Sequence, residues 1–163
     1  MLVTTAGRYA LRALIDLAVY GNGRPTRIKD ISRRQRISSR YLEQIFSKLF
    51  KAGLIRGRRG PFGGYVLAKD ASQISVADII SAAEGPLQPV PVACLSENGS
   101  HNDSCDLFEG CLSRHVWKET QRILLDYLNS VTIADLCALA GRHPDPAIPR
   151  PLASHTSVQT GES

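Results

Sequence analysis

The chain has 163 residues, of which 43% are hydrophobic and 21% charged, a balance typical of a folded domain that can bury a core. Its apolar runs fall short of the ~20 residues of a membrane span, and charged residues interrupt the N-terminal stretch where a signal peptide is apolar, which predicts a cytoplasmic protein without a membrane partner. Residues 1–70 hold fifteen Lys and Arg against four Asp and Glu, a net +11, whereas residues 71–163 hold five against eleven, a net −6. The basic part predicts a polyanionic partner, although a solvated charged surface would have the same composition.

The first two predicted helices cover residues 4–20 and 27–36. Apolar residues recur at helical spacing in both ranges. Thr4 or Thr5 can cap the first helix, and Thr26 is the expected N-cap of the second.

The third predicted helix, over residues 39–52, shows the clearest amphipathic pattern. Its expected inward stripe consists of Leu42, Ile45, Phe46, Leu49 and Phe50. Its opposite face consists of Arg40, Glu43, Gln44, Ser47, Lys48 and Lys51. Gly53 follows at the position where glycine often ends a helix.

A β-hairpin is predicted next, with strands at Leu54–Arg56 and Tyr65–Ala68 around the turn RGRRGPFGG. Three helices followed by a hairpin is the element order of a winged helix-turn-helix. A polar helix face of this kind fits the major groove, and a compact basic turn can approach phosphates or enter a minor groove. We therefore predict contacts to double-stranded operator DNA from Arg40, Tyr41, Glu43, Gln44, Lys48, Arg58 and Arg59.

The remaining chain is predicted to contain a helix from Ser75 to Glu84, a long helix over 112–130 and a short helix from Thr132 to Gly141. The expected divisions are a winged helix-turn-helix domain (1–85), a cysteine-bearing segment (86–111), two helices (112–141) and a proline-containing disordered tail (142–163). The fold class is thus mainly α with a small β-hairpin.

Three segments, GRYALRALIDLA, DISRRQRISSRYLEQIFSKLFKAGLI and RGPFGGYVLAKDASQISVADIISAAEG, closely resemble the Rrf2 family of bacterial transcription regulators. Within that family the chain is most similar to the iron–sulfur-cluster regulator branch, and the resemblance extends to about residue 141. It implies a winged-helix homodimer in which residues 112–130 form the dimerisation helix. Periodicity alone would instead favour an intramolecular core helix.

The segment CLSENGSHNDSCDLFEGCLSRH, residues 94–115, holds three of the four cysteines in polar, turn-rich surroundings. Thiolates bind iron–sulfur clusters, zinc and copper(I), but the spacing C-x10-C-x5-C differs from the C-x2-C of zinc ribbons and ferredoxins. The residues alone leave three interpretations open: a cluster site, a structural zinc site, and unliganded redox-sensing thiols. Cys137 lies among apolar residues and is predicted to be a small buried hydrophobe.

The family resemblance favours the cluster, because Cys94, Cys105 and Cys111 lie where the iron–sulfur branch carries its ligands. It implies an iron–sulfur cluster, with [2Fe–2S] favoured and [4Fe–4S] possible. The branch has a shorter first gap, of five residues, but doubling a loop costs only about 0.6 kcal/mol and does not forbid ligation.

The fourth ligand is where the chain departs from the branch. Trp117 keeps the family register, so Arg114 occupies the position of the branch's histidine and His115 follows one residue later. Residues three and four positions on share one helix face, so His115 can substitute, although a solvated or interface histidine is equally compatible. Other candidate ligands are His101, Asp103, Asp106 and Glu109. The nitric-oxide-sensing branch uses an acidic residue where this chain has Arg8, which disfavours that ligand here.

No catalytic motif is evident, so we predict a regulator rather than an enzyme. The expected function is DNA-binding transcriptional regulation tuned by an iron–sulfur cluster in response to iron–sulfur, iron or redox status. The alternatives are a nitric-oxide- or iron-responsive relative with a different cluster, and a zinc-stabilised DNA-binding or interaction module.

Overall fold

A computed structural model describes residues 4–87 and 112–140. Within these ranges the elements are α1 (Thr5–Gly21), α2 (Ile28–Gln35), α3 (Ser39–Lys51), β1 (Ile55–Arg58), β2 (Gly64–Leu67), a 3₁₀ turn (Ala71–Gln73), α4 (Val76–Glu84), α5 (Leu112–Ser130) and α6 (Ile133–Ala140). The fold class predicted from the sequence, mainly helical with one antiparallel hairpin, is confirmed. The cysteines of the 86–111 segment and the tail predicted to be disordered lie outside the described residues.

The α1 helix begins as its sequence predicts and supplies much of the core. The Thr4 hydroxyl accepts a hydrogen bond from the backbone N–H of Ala6 and so caps the helix. Ala10, Leu14 and Leu17 are buried against α3 and α4. The chain leaves the helix at Asn22, whose left-handed φ of 43° is within the range that asparagine tolerates.

The prediction that Thr26 caps α2 is wrong. Thr26 is extended and pairs with Tyr65, each residue donating its backbone N–H to the other's carbonyl at 2.9 Å. Arg27 is therefore the N-cap, and its side chain makes no capping hydrogen bond. The chain entering α2 therefore pairs with the second strand of the hairpin through a single antiparallel β-bridge.

A buried ion pair, which the sequence did not indicate, joins α1 to α2. Asp16 is only 1% exposed, and its carboxylate accepts hydrogen bonds from Arg34 Nε at 2.9 Å and Nη2 at 2.6 Å. Gln35 donates a further bond of 2.9 Å to the same carboxylate. The hydrogen bond that Arg34 donates to Asp16 raises the pKa of Arg34, so the guanidinium stays charged.

The α3 helix buries the predicted stripe except for its last member. Leu42, Ile45, Phe46 and Leu49 are buried, whereas Phe50 is 54% exposed and so contradicts the prediction. Successive helical residues are about 100° apart, which carries Phe50 to the edge of the stripe. The helix is closed by Ala52 and by Gly53, whose positive φ of 70° suits glycine.

The hairpin strands are displaced from their predicted bounds. Arg58 pairs with Gly64 and Ile55 with Leu67, so the first strand extends closer to the tip than expected. Ile55 and Val66 are buried, which fixes the hairpin against the helical core.

The α4 helix carries the predicted capping box, in which Ser75 and Asp78 exchange side-chain-to-backbone hydrogen bonds. Its apolar residues Val76 and Ile80 pack against Leu125 and Leu128 of α5 and against Val131, which follows that helix. Backbone bonds from Val76 to Val131 and from Ile133 to Ile74 complete the junction of α4, α5 and α6.

Candidate DNA interface and cysteine segment

The outward face of α3 presents the polar side chains that the sequence assigned to DNA. Arg40, Glu43 and Gln44 are exposed. The helix start is fixed by Ser38, whose hydroxyl accepts from the backbone N–H of Tyr41 at 3.3 Å. Recognition helices read base edges with residues near their N-termini, and these three residues lie in the first turns of α3.

Tyr41 has a different environment from its neighbours. Its ring is half-buried and meets the Tyr9 ring edge-on, with centroids 5.9 Å apart. Such edge contacts position an aromatic ring, and the ring here joins α3 to α1. The predicted DNA contact of Tyr41 stays a prediction that would involve only the accessible part of the ring.

Lys48 is bound within the protein. Its Nζ donates a hydrogen bond of 2.7 Å to the carbonyl oxygen of Ala83, in the last turn of α4. A cation at this place satisfies a carbonyl that the helix leaves unpaired and interacts favourably with the helix dipole. The ammonium has two further donors, so the predicted DNA contact from Lys48 stays open.

The same end of α4 is bound to the start of α1. Glu84 Oε1 accepts hydrogen bonds from the Thr4 hydroxyl at 2.6 Å and from the backbone N–H of Gly7 at 2.8 Å. A carboxylate at a helix N-terminus is stabilised by the unpaired N–H groups there. The sequence alone indicates no role for Glu84, because only the tertiary fold brings residues about eighty positions apart together.

The wing tip is a short turn whose glycines are required by close backbone approach. A Cβ at Gly63 would lie 2.4 Å from the Arg58 carbonyl oxygen, and a Cβ at Gly64 would lie 2.5 Å from that of Thr26. Arg58 and Arg59 are exposed on this turn. The wing therefore places two guanidinium groups on a compact backbone, as a phosphate contact requires.

Of the predicted metal ligands, the structure describes only His115. Its side chain is exposed in the first turns of α5, a helix that begins at Leu112, directly after Cys111. Cys94, Cys105 and Cys111 lie outside the described residues, as do His101, Asp103, Asp106 and Glu109. Residues 4–87 and 112–140 by themselves bring together no group of three His, Cys, Asp or Glu side chains that could hold a metal ion.

Cys137 is separate from that segment. It lies on α6, partly buried against the core, and burial raises the pKa of its thiol. A metal ligand must be a thiolate, so this environment opposes ligation. Cys137 is thus partly rather than fully buried, and its assignment as a residue that does not bind the metal stays a prediction.

The long helix α5 exposes an apolar face. Val116, Ile123 and Tyr127 are 57%, 55% and 45% exposed, and their spacing of seven and four residues places them on one side. Leu128 lies on another side of α5 and, with Val131 just after the helix, packs against α4. Ile123 lies at the centre of this exposed face.

Three helices packed around a common core and followed by an antiparallel wing define a winged helix-turn-helix DNA-binding protein. The family model of Rrf2, described as an iron-dependent transcriptional regulator, matches residues 3–139. The chain belongs to the Rrf2 family of transcriptional regulators.

Relatives of known name agree with this assignment. The chain is 40% identical over 136 residues to the HTH-type transcriptional regulator IscR of Cronobacter sakazakii and of Escherichia coli K12, covering 83% of this chain and 80% of each relative. These relatives are named as regulators rather than enzymes, in agreement with the prediction from the sequence. No helix in the described residues is long and apolar enough to cross a membrane.

Two solved structures share the fold at appreciable identity. CymR, the global cysteine regulator of B. subtilis, superposes with a TM-score of 0.68 at 33% identity, covering 85% of this chain and 97% of CymR. IscR from T. potens superposes with a TM-score of 0.65 at 33% identity, covering 85% of this chain and 87% of the other.

Proposed function

We propose that this chain is a homodimeric transcriptional regulator whose affinity for its operator is tuned by an iron–sulfur cluster bound through Cys94, Cys105 and Cys111. The observation that carries the regulatory part is the bond between Lys48 and Ala83. It joins the DNA-facing helix to the end of α4, from which the chain runs into the cysteine segment. A change in that segment therefore has a direct physical route to the recognition helix.

The donor set fits such a group. Three cysteines and a neighbouring histidine supply soft thiolate and imidazole ligands, which suit iron–sulfur clusters. Arg114, at the position where the resembling branch has histidine, cannot ligate because a guanidinium has no available lone pair. His115 is exposed one position further along and is the fourth ligand that we propose. We favour [2Fe–2S] over [4Fe–4S].

When bound, the cluster would supply a centre that responds to electrons, oxidants and iron supply. Ligation by the three cysteines would fix the path of the chain between α4 and α5. Glu84 and Lys48 would then hold the end of α4 in one position relative to α1 and α3. A fixed path would favour the arrangement of recognition helices that matches the operator, which is a shift in population rather than a new contact.

The homodimer rests on the exposed face of α5. Val116, Ile123 and Tyr127 form an apolar row that the described part of the chain leaves uncovered. A second copy of the same face would bury it with two-fold symmetry, which is the commonest arrangement of soluble oligomers. Two subunits would also present two recognition helices to a palindromic operator.

The test is to purify the full chain anaerobically, to count iron and sulfide per subunit, and to select its DNA site from a random duplex library. DNA affinity is then compared between cluster-loaded and chelator-treated protein at one salt concentration. Iron and sulfide in equal amounts, with a DNA affinity that changes on cluster removal, are expected. Stoichiometric zinc without sulfide, or DNA binding that is indifferent to the cluster, would contradict the proposal.

A further inference from the structure

Phe62 is the most exposed large hydrophobic side chain of the described residues, at 86%. It occupies the third position of the four-residue turn Gly60–Gly63 at the tip of the wing, which is closed by a bond of 2.9 Å from Gly63 N to the Gly60 carbonyl. A single exposed hydrophobic side chain is common on protein surfaces, so it is the position of Phe62, at the hairpin tip beside exposed arginines, that points to a binding role.

The turn that carries Phe62 is held from several sides. Pro61, at the second position of the turn, fixes one backbone dihedral, and its carbonyl accepts a hydrogen bond from Arg27 at the start of α2. The pairing of Thr26 with Tyr65 anchors the second strand one residue beyond Gly64. A rigid support of this kind presents the phenyl ring without the entropic cost of ordering a flexible loop on binding.

The surroundings of Phe62 select the partner. Arg58 ends β1 and Arg59 follows it, directly before the turn, and both side chains are exposed. A protein-binding patch is usually apolar at its centre, whereas here a single phenyl ring lies beside two positively charged guanidinium groups. Duplex DNA matches this combination, because phosphates line the outside of the minor groove and apolar sugar and base surfaces lie within it.

We infer that Phe62 is an apolar wedge that enters the minor groove of the operator while Arg58 and Arg59 contact the flanking phosphates. The inference rests on the proposed DNA binding and adds a deformation step to it. Proteins that insert phenylalanine between base pairs unstack that step and bend the duplex, and flexible pyrimidine–purine steps unstack most easily. Phe62 would thus select for a deformable step at a position that α3 does not touch.

The test uses the full chain, purified anaerobically, and a duplex obtained by selection from random sequence. Phe62→Ala should weaken binding about tenfold, because the gain from burying the ring is partly offset by the cost of unstacking. The bend of a duplex labelled with fluorophores at both ends should decrease. The fluorescence of 2-aminopurine placed at the contacted step should no longer increase on binding.

The salt dependence of DNA affinity distinguishes the contribution of Phe62 from that of the neighbouring arginines. Phe62→Ala should leave the slope of log affinity against log salt unchanged, whereas Arg59→Ala should lower its magnitude by about 1. Phe62→Leu should recover most of the affinity and the bend, since leucine also acts as a wedge. Phe50→Ala, which removes another exposed phenyl group at the far end of α3, is the matched control and should change neither.

The outcomes distinguish this inference from the proposed function. Wild-type protein that selects no DNA sequence would refute the DNA-binding proposal itself. Wild-type binding that Phe62→Ala leaves unaltered, in both affinity and bend, would overturn the wedge alone. A loss of affinity in Phe62→Ala without any change in bend or 2-aminopurine signal would also overturn it, and would indicate a surface contact to the DNA backbone.

Discussion

Lys48 on α3 and Ala83 at the end of α4 are joined by a hydrogen bond of 2.7 Å from the ammonium to the carbonyl oxygen. The bond links the surface proposed to read DNA with the helix that leads into the cysteine segment. Removal of this bond should therefore change how strongly the cluster affects DNA affinity more than it changes cluster binding or DNA binding by themselves.

Lys48→Met tests this link. We expect the ratio between the DNA affinities of the cluster-loaded and cluster-free protein to move toward one, because α3 no longer follows the end of α4. If the ammonium also binds a phosphate, its removal weakens DNA binding equally in both states, so this effect cancels in the ratio. Fluorescence anisotropy with the selected duplex measures both affinities.

Lys51→Met is the matched control, since Lys51 lies one turn further along α3 and is also exposed. It should keep the wild-type ratio. Glu84→Ala releases α4 from α1 without altering the side chains proposed to contact DNA. Like Lys48→Met, it should move the ratio of the two DNA affinities toward one. A wild-type ratio in both Lys48→Met and Glu84→Ala would show that the end of α4 does not transmit the cluster state.

The buried pair of Asp16 and Arg34 should contribute strongly to stability. Arg34→Met leaves the carboxylate buried with Gln35 as its remaining partner, so the free energy of unfolding should fall by roughly 3 kcal/mol. Urea unfolding followed by circular dichroism measures this change.

Arg33→Met is the adjacent control. Arg33 is largely exposed and lies 3.9 Å from Asp30, an exposed pair that should contribute less than about 1 kcal/mol. Equal costs for the two substitutions would show that the Asp16 carboxylate tolerates the loss of its guanidinium partner. The double substitution Asp16→Leu with Arg34→Met should cost less than Arg34→Met alone, because no unpaired charge is left buried.

The main outline of the fold follows from local patterns that the sequence displays. The inward stripe of α3, the Ser75 capping box and the glycine-rich hairpin each depend on residues a few positions apart, so spacing alone predicts them. Thr26 was misassigned because its pairing with Tyr65 is a tertiary contact that outweighs its capping preference. The Asp16–Arg34 pair and the roles of Lys48 and Glu84 likewise depend on which helices meet.

The candidate site also combines features that local sequence predicts with features that depend on tertiary packing. A polar helix face and an arginine-rich turn are visible in the sequence, and they are exposed in the structure. The exposure of Ile123, by contrast, depends on how α5 rotates when Leu125 and Leu128 dock on α4. Periodicity gives a stripe about the helix axis, but not which part of it the rest of the chain covers.

Ile123→Glu should convert the proposed dimer to a monomer. The substitution places a carboxylate from each subunit near the centre of the apolar face of α5, where both would lose water. Light scattering coupled to size-exclusion chromatography should give the subunit mass rather than twice that mass. DNA affinity should fall with it, since one recognition helix is lost.

Asn129→Glu introduces the same charge at an exposed position about 120° around α5 from Ile123 and should leave the proposed dimer intact. Circular dichroism of both variants checks that the helices persist. A dimeric Ile123→Glu protein would show that the subunits associate through another surface.

Cys137 should react slowly with thiol reagents. Burial raises the pKa of its thiol, so the thiolate fraction at pH 8 is lower than for a free cysteine and alkylation is correspondingly slower. Its rate should continue to rise at pH values where an unperturbed thiol has already levelled off. Iodoacetamide labelling of chelator-treated protein, with each cysteine located by mass spectrometry, gives the separate rates.

The same experiment tests the ligand assignment by protection. In cluster-loaded protein Cys94, Cys105 and Cys111 should be protected from iodoacetamide, and removal of the cluster should expose all three. The rate at Cys137 should be the same in both forms. Protection of Cys137 by the cluster, or full reactivity of Cys94 in its presence, would contradict the assignment.

His115 provides the sharpest test of the fourth ligand, because its side chain is exposed and its removal should not disturb the core. His115→Ala should alter the visible and EPR spectra and shorten the lifetime of the cluster in air. His115→Cys should retain the cluster with a shifted spectrum, since a thiolate replaces the imidazole. Asp126→Asn, about three turns further along α5 and also exposed, is the control and should leave both spectra unchanged. Wild-type spectra and lifetime in His115→Ala would exclude this histidine and would direct the search to His101 or to a carboxylate of the cysteine segment.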